Sequence, residues 1–252
     1  MASSRVHRRH RALPRHLRGG VYNRLVSSVG GRRVENEDVV NLPNWLPLRF
    51  RRPGGAWIGP DTTPVLEHNV TLHLSSGLME RLTRYGLGAG AALLVRQLRF
   101  VHMADPHLAG LRTEFTAEGF SGPLVVEAAL DGGVTNAGVP RYAADLDGRH
   151  LTHVVTGTSQ QDAVWLRCRT RTSDVRIAYA ARLTSPASVT VTHDRPLRGA
   201  DDPAGTDGGE DPDGRQGRRP AHLRDAAISD PMHAAVDRVH RAALSTSCWR
   251  PI

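Results

Sequence analysis

Residues 78–102, LMERLTRYGLGAGAALLVRQLRFVH, hold two apolar-rich runs of strand length on either side of a cluster of glycines. Leu78 to Tyr85 and Ala91 to His102 flank Gly86-Leu87-Gly88-Ala89-Gly90, and runs of this kind around a glycine turn predict a β-hairpin. Working outward, Val65 to Leu74 (VLEHNVTLHL) ends in alternation. Val70, Leu72 and Leu74 fall on one face and Thr71 and His73 on the other, the pattern of a half-buried strand. Leu108 to Thr116 and Pro123 to Leu130 read as a second hairpin around Gly119-Phe120-Ser121-Gly122, followed by the turn Asp131-Gly132-Gly133. Leu151 to Thr156, Ala163 to Thr172 and Val175 to Leu183 complete the set, the last two joined by Ser173-Asp174. Many short strands punctuated by Gly, Asp and Pro predict an all-β, antiparallel sandwich rather than an α/β fold. Its inner faces are expected from Leu72, Leu74, Val126, Leu166 and Ile177, with Val164, Cys168, Val175 and Tyr179 beside them and Trp165 also in the core.

The ends of the chain differ from this body. Residues 1–19 are basic and acid-free and are expected to be disordered, while 20–192 form the sandwich. His193 to Pro220 is rich in Gly, Pro and Asp and nearly devoid of large apolar residues, so 193–223 reads as a flexible, disordered linker. Residues 224–252 then supply a short helix and a frayed tail. Asp230 is a good N-cap, Pro231 suits the first turn, and Met232, Ala235, Val236, Val239 and Ala243 recur at helical spacing until about Leu244.

Composition narrows the function classes. The 252 residues are 39% hydrophobic, enough for a real core. The formal charge of +8 would suggest nucleic acid, yet all 33 basic residues are arginine and six of them fall in residues 1–20, leaving the body close to neutral. A chain without lysine points to coding bias rather than to a phosphate-binding surface, so no nucleic-acid partner is expected. No run of about 18 apolar residues predicts a membrane span. The amino terminus lacks an apolar signal segment, and two cysteines, Cys168 and Cys248, are too few for a disulfide framework. A reducing, cytoplasmic location is the expectation.

Few residues suggest chemistry directly. His102-Met103-Ala104-Asp105-Pro106-His107 clusters metal-ligand types, but its spacing fits no standard zinc pattern and Asp-Pro begins an ordinary turn, so no metal is expected. Glu35, Glu37 and Asp38 stand too close together to occupy opposite faces of a sugar as an acid and its counterpart must, and read as loop charges. Asp131 to Val139 reads as a glycine-bearing turn in which Asn136 either caps its own backbone or faces a sugar, since amides, carboxylates and aromatic rings recognise sugars.

The densest set of specified residues is 21–50, VYNRLVSSVGGRRVENEDVVNLPNWLPLRF. Tyr22-Asn23-Arg24, the acidic run, and Asn41-Leu42-Pro43-Asn44-Trp45-Leu46-Pro47 follow one another there. In that order and spacing they resemble the amino-terminal domain of glycoside hydrolase family 65, the maltose, trehalose and kojibiose phosphorylases and related hydrolases. Met103 to His107, Asp131 to Val139, Arg141-Tyr142 and Asp145 to Leu151 continue the resemblance, which covers about Gly20 to Leu183 and returns at Arg224 to Ala243. It implies a β-supersandwich of the galactose-mutarotase-like type. In the family this domain packs on an (α/α)6 barrel, which carries the general-acid Glu and the phosphate site for inverting attack on an α-glucoside. It also implies a homodimer, α-linked glucosides and phosphate as the intact family's ligands, no cofactor, and Tyr22, Asn23, Asn41, Asn44, Trp45 and Asn136 as candidates for the substrate rim or the barrel interface. None of the barrel sequence is present. Residues 1–18, His193 to Leu223 and Ser245 to Ile252 depart from the family pattern, as a frameshifted reading of a GC-rich gene would, the alternative being ordinary divergence of termini and a loop. The expectation is therefore a non-catalytic fragment of an α-glucoside phosphorylase or hydrolase, the alternative being a free-standing carbohydrate-binding or mutarotase-like module. In such a fragment Asn41 to Trp45 should project from the surface, with Leu42 and Trp45 exposed.

Overall fold

The computed structural model describes residues 20–29, 31–136, 148–159, 163–185 and 231–244. The expected basic tail, linker and frayed tail lie outside these residues, as do Asp230, Arg141-Tyr142 and residues 145–147. The described chain is all-β and antiparallel with one short carboxy-terminal helix, α1 (Pro231–Leu244), in the fold class the sequence predicts. It divides into two compact units, one of Met1–Trp45 and Leu130–His240, the other of Leu46–Ala129 and Arg241–Ile252.

The first unit contains the hairpin of β1 (Tyr22–Val29) and β2 (Arg32–Val39). Its other sheet has three strands, with β10 (Ala163–Thr170) between β9 (Leu151–Thr158) and β11 (Arg176–Arg182). Val40, Leu42, Leu166, Cys168, Val175 and Ile177 form the core, with Val21, Leu130, Leu151, Val154 and Tyr179 packed around it. Leu166 and Ile177 thus face inward as predicted. Burial raises the Cys168 thiol to about 12 because a thiolate would lose its hydration there. Trp165 is only half-buried. Its ring lies over Gly157, its cross-strand partner, where a Cβ would overlap ring atoms.

In the second unit β5 (Leu78–Gly88) and β6 (Ala91–Val101) form the predicted hairpin. β4 (Val65–His73) and β7 (Ala109–Glu118) extend it to the order β4-β5-β6-β7. A two-stranded sheet of β3 (Leu48–Arg51) and β8 (Val125–Ala128) supplies the opposing layer. Phe50 of β3 inserts its ring edge-on against Tyr85 (5.9 Å between centroids) and Phe115 (5.1 Å), with Leu93 and Val95 beside them. On the other face, Arg96 of β6 pairs with Glu80 of β5 (2.5 Å) and Glu114 of β7 (3.2 Å), and Arg84 of β5 reaches across β6 to Glu118 of β7 (2.7 Å), so this solvent face carries its own cross-strand ion pairs.

Four expectations need correcting. Leu108–Thr116 and Pro123–Leu130 are not a hairpin: β7 pairs with β6 and β8 with β3, so the glycines between them carry the chain from one sheet to the other. Leu72 and Leu74 are 54% and 85% exposed and Val126 is 37% exposed, because alternation names a face without saying whether a second layer reaches it. The covering layer stops over Tyr85, Leu93, Val95 and Phe115, and every residue of β4 is exposed. Glu35, Glu37 and Asp38 lie on the strand β2, opposite Val26, Arg24 and Asn23, rather than in a loop. Finally, Asn41 to Asn44 is not a surface projection. Leu42 is 4% exposed in the first unit's core and Trp45 is half-buried, since the extended Pro-containing segment finds its polar partners within its own unit.

Candidate functional site

The candidate residues Tyr22, Asn23, Asn41, Asn44, Trp45 and Asn136 all belong to the first unit, where two hydrogen-bonded clamps hold the side-chain amides of Asn23, Asn41 and Asn136. Asn23 leads the first. Its side chain is fully buried on β1 opposite Asp38, and it crosses to the turn that joins β10 to β11. The Oδ1 atom accepts from the Thr172 N–H (3.0 Å), the Thr172 hydroxyl (2.7 Å) and the Ser173 N–H (3.2 Å). Its Nδ2 lies 3.1 Å from Nδ1 of buried His150. The amide can only donate there, so Nδ1 bears the lone pair and the imidazole carries its proton on Nε2. Ser173 Oγ donates to the carbonyl of Tyr22 (2.6 Å), and Thr170 Oγ1 accepts from the Val175 N–H (2.8 Å). A buried amide thereby closes a turn against a hairpin 149 and 150 positions away, giving partners to groups that would otherwise lose their hydration.

The second clamp joins the segment after β2 to the Asp131–Asn136 stretch. Asn136 accepts the Asn41 N–H at Oδ1 (2.9 Å) and donates from Nδ2 to the Val39 carbonyl (2.9 Å), so its amide behaves as a rung of a sheet. Asn41 Nδ2 donates to the Thr135 carbonyl (3.1 Å). Asn44 and Asp131 exchange both backbone bonds, at 2.8 and 2.9 Å, and Asp131 Oδ1 takes the Gly133 N–H (2.8 Å) to close an Asx turn. Gly132 is required between them: a Cβ there would stand 2.7 Å from Val154 Cγ1 and 3.0 Å from Leu166 Cδ1. Tyr22, Trp45 and Asn136 remain half-buried.

Electrostatically the carboxylates nearest this region serve one cation. Arg24 bonds Glu37 at 2.9 Å and reaches Glu35 at 3.9 Å, and the hydrogen bond it donates to Glu37 holds the guanidinium above its ordinary pKa. Glu35 and Glu37 therefore share a side of β2 and do not face each other across a cleft, which an inverting pair requires. At the other end of the chain's motif set, His102 Nδ1 accepts the Asp105 N–H (2.9 Å) and Asp105 Oδ1 the His107 N–H (3.0 Å), so this segment is a turn held by its own side chains. Among the described residues no group of three His, Cys, Asp or Glu is placed to hold a metal, and no helix is long and apolar enough to cross a membrane. Sequence reasoning singled out the asparagines but not His150, Thr172 and Ser173 as their partners. Nothing local marks those three, whose contacts span 127 to 151 positions.

Relatives carry the same region. An uncharacterized glycosyl hydrolase of Mycobacterium tuberculosis is 40% identical over 165 residues, which is 66% of this chain and 12% of that protein. The trehalose 6-phosphate phosphorylase of Lactococcus lactis is 31% identical over 164 residues, 65% of this chain and 20% of the relative. The kojibiose phosphorylase of Caldanaerobacter subterraneus is 26% identical over 165 residues, again 65% and 20%. The chain thus spans between 12% and 20% of the length of these curated relatives. The family profile described as glycosyl hydrolase family 65, N-terminal domain, matches residues 4–205, beginning inside the basic stretch that the sequence reading had set apart. With its buried Asn clamps and antiparallel sheets, the chain belongs to glycosyl hydrolase family 65, as that family's N-terminal domain.

Proposed function

We propose that this chain is a non-catalytic scaffold of carbohydrate metabolism, the amino-terminal part of an α-glucoside phosphorylase or hydrolase whose chemistry resides in a separate catalytic barrel. The observation that carries this reading is the use of the motif residues. The side-chain amides of Asn23, Asn41 and Asn136 bond backbone and side chains of their own unit, as structural residues do, and Glu35 and Glu37 share Arg24. Such groups shape a surface without supplying an acid and a nucleophile. The activities for which the relatives are named, phosphorolysis of trehalose 6-phosphate and of kojibiose, support α-linked glucosides and phosphate as the ligands of the complete assembly. Within it, half-buried Tyr22 and Trp45 are proposed to meet the barrel or to rim its sugar site. The buried free thiol of Cys168 suits a reducing, cytoplasmic setting.

The test incubates the purified full chain with phosphate and, in turn, maltose, trehalose and kojibiose, and measures glucose and glucose 1-phosphate. No release above background is expected, because an inverting reaction needs an acid and a nucleophile on opposite faces of one enclosed sugar. Turnover that survives repurification overturns the reading. Calorimetric titration with the same sugars separates the alternative: saturable binding by the isolated chain would make it a carbohydrate-binding module.

A further inference from the structure

The four-stranded sheet β4-β5-β6-β7 separates its charges by face. Its register sets Val70, Arg81, Gln97 and Thr113 in one row and Leu72, Met79, Arg99 and Leu111 in the next. Both rows continue the face that carries Tyr85, Leu93 and Val95 in the core. Glu67, Glu80, Glu114 and Glu118, all the carboxylates of these strands, fall on the opposite face with Arg84, Arg96 and Arg112. Each of those three arginines is paired with one of these carboxylates. Arg81 and Arg99 are left on a face without any, just beyond the residues that β3 and β8 cover.

The contacts these two cations make are with uncharged groups. Arg81 donates from Nε (2.9 Å) and from Nη2 to Oε1 of Gln97, whose own Nε2 turns to the Thr113 hydroxyl at 3.4 Å. The Arg99 guanidinium lies against Met79, with Nε 2.9 Å from Sδ, and a thioether is a weak acceptor. Each side chain therefore crosses to the other's strand, and the two guanidiniums meet from rows that stand about 7 Å apart along the strands. Burial, and after it the charge of Arg81, pushes the Arg99 guanidinium below its ordinary pKa, as happens to a cation that lacks a counter-ion. One guanidinium fork matches the two oxygens of a carboxylate. Two forks in neighbouring rows match an anion with three or more oxygens on a tetrahedral centre. Val70 and Leu72, both more than half exposed, flank the pair on β4 and offer apolar contact to the carbon atoms of an ester.

We propose that Arg81 and Arg99 hold a phosphoryl group between them, as free phosphate or as a phosphate monoester. The site is read by binding rather than by turnover, so its failure and the failure of the scaffold reading are separate outcomes. Calorimetric titration of the full chain at low, constant ionic strength, with inorganic phosphate and separately with glucose 6-phosphate, is expected to show one saturable site. Tighter binding of the ester makes the monoester the ligand, and equal or weaker binding makes it free phosphate. Arg81→Gln and Arg99→Gln should each weaken binding at least ~10-fold, since a charged hydrogen-bond donor is lost, whereas Arg84→Gln on the opposite face should leave it unchanged. Arg99→Met keeps an unbranched apolar stem and gives a second readout: phosphate should raise the urea midpoint of the native chain and leave that of this variant where it was. No saturable binding of either compound, acetate bound as tightly as phosphate, equal weakening by Arg84→Gln, or a phosphate-dependent midpoint that survives Arg99→Met each overturns the proposal.

Discussion

Removing the Asn23 amide tests the clamp that holds the first unit together. In Asn23→Ala the Thr172 N–H, the Ser173 N–H and His150 Nδ1 each lose the bond that Asn23 gives them, while the Thr172 hydroxyl keeps the Arg24 carbonyl at 2.7 Å. A buried polar group left without its partner costs about 1–3 kcal/mol, and a water entering the vacated space can serve some of the three groups. The low end of that range, summed, gives a loss of about 3 kcal/mol, a large share of a typical domain's stability of about 5–15 kcal/mol. Urea denaturation followed by circular dichroism should show the midpoint fall, and hydrogen exchange should show the loss of protection concentrated at Thr172 and Ser173. Thr172→Val, which removes only the hydroxyl, should cost about 1 kcal/mol and couple to Asn23→Ala in a double-mutant cycle. A loss below about 0.5 kcal/mol for Asn23→Ala, the range of ordinary surface changes, would refute the clamp, as would equal loss of protection throughout the chain.

Other changes should separate the two units. Phe50→Ala removes the ring wedged between Tyr85 and Phe115 and should cost about 3–5 kcal/mol in denaturant titration, whereas Leu72→Ser on exposed β4 should stay within about 0.5 kcal/mol. Gly157→Ala drives a methyl into the Trp165 ring and should cost about 1–3 kcal/mol, with a change in tryptophan fluorescence. The thiol of Cys168 is held up to about 12 in the folded chain against an ordinary value of 9.0, so its contribution is complete below pH 9 and is lost as pH rises toward 12. Stability should therefore fall over that window by at most about 1.4 kcal/mol per pH unit from this group, and less steeply in Cys168→Ala, as alkaline denaturation curves will show.

How far the chain could be read in advance depended on how local each determinant is. The β5–β6 hairpin was legible because strand, glycine turn and strand are contiguous, and Leu166 and Ile177 because alternation in β10 and β11 coincides with a covered face. The helix was legible from Pro231 and from the apolar spacing up to Leu244. The β3–β8 pairing was not, since Arg49 meets Glu127 across 78 positions and neither four-residue strand announces its partner. The β1–β2 hairpin was not legible because its strands are mostly polar: Leu25 is buried, while Val26 and Val34 are exposed, so no apolar face marks the pair. For the candidate site, the motif identified Asn23, Asn41, Asn44 and Asn136 as specified residues. It left open whether an amide faces a ligand or another part of the backbone, because both uses demand the same donor and acceptor.

The division of the chain into units has a consequence for the order in which the protein can be made. Apart from Arg241–Ile252, the second unit is one uninterrupted stretch, Leu46–Ala129, lodged between the two parts of the first. A ribosome therefore releases every partner of Phe50 long before it releases the turn that Asn23 must grip. The β1–β2 hairpin emerges first and is completed late, with Val40 and Leu42 lacking Leu166 and Ile177 throughout the synthesis of everything between them. A nascent chain arrested after Ala129 would carry every core partner of Phe50 and an unfinished host, its earliest apolar residues still waiting for strands that had yet to be translated.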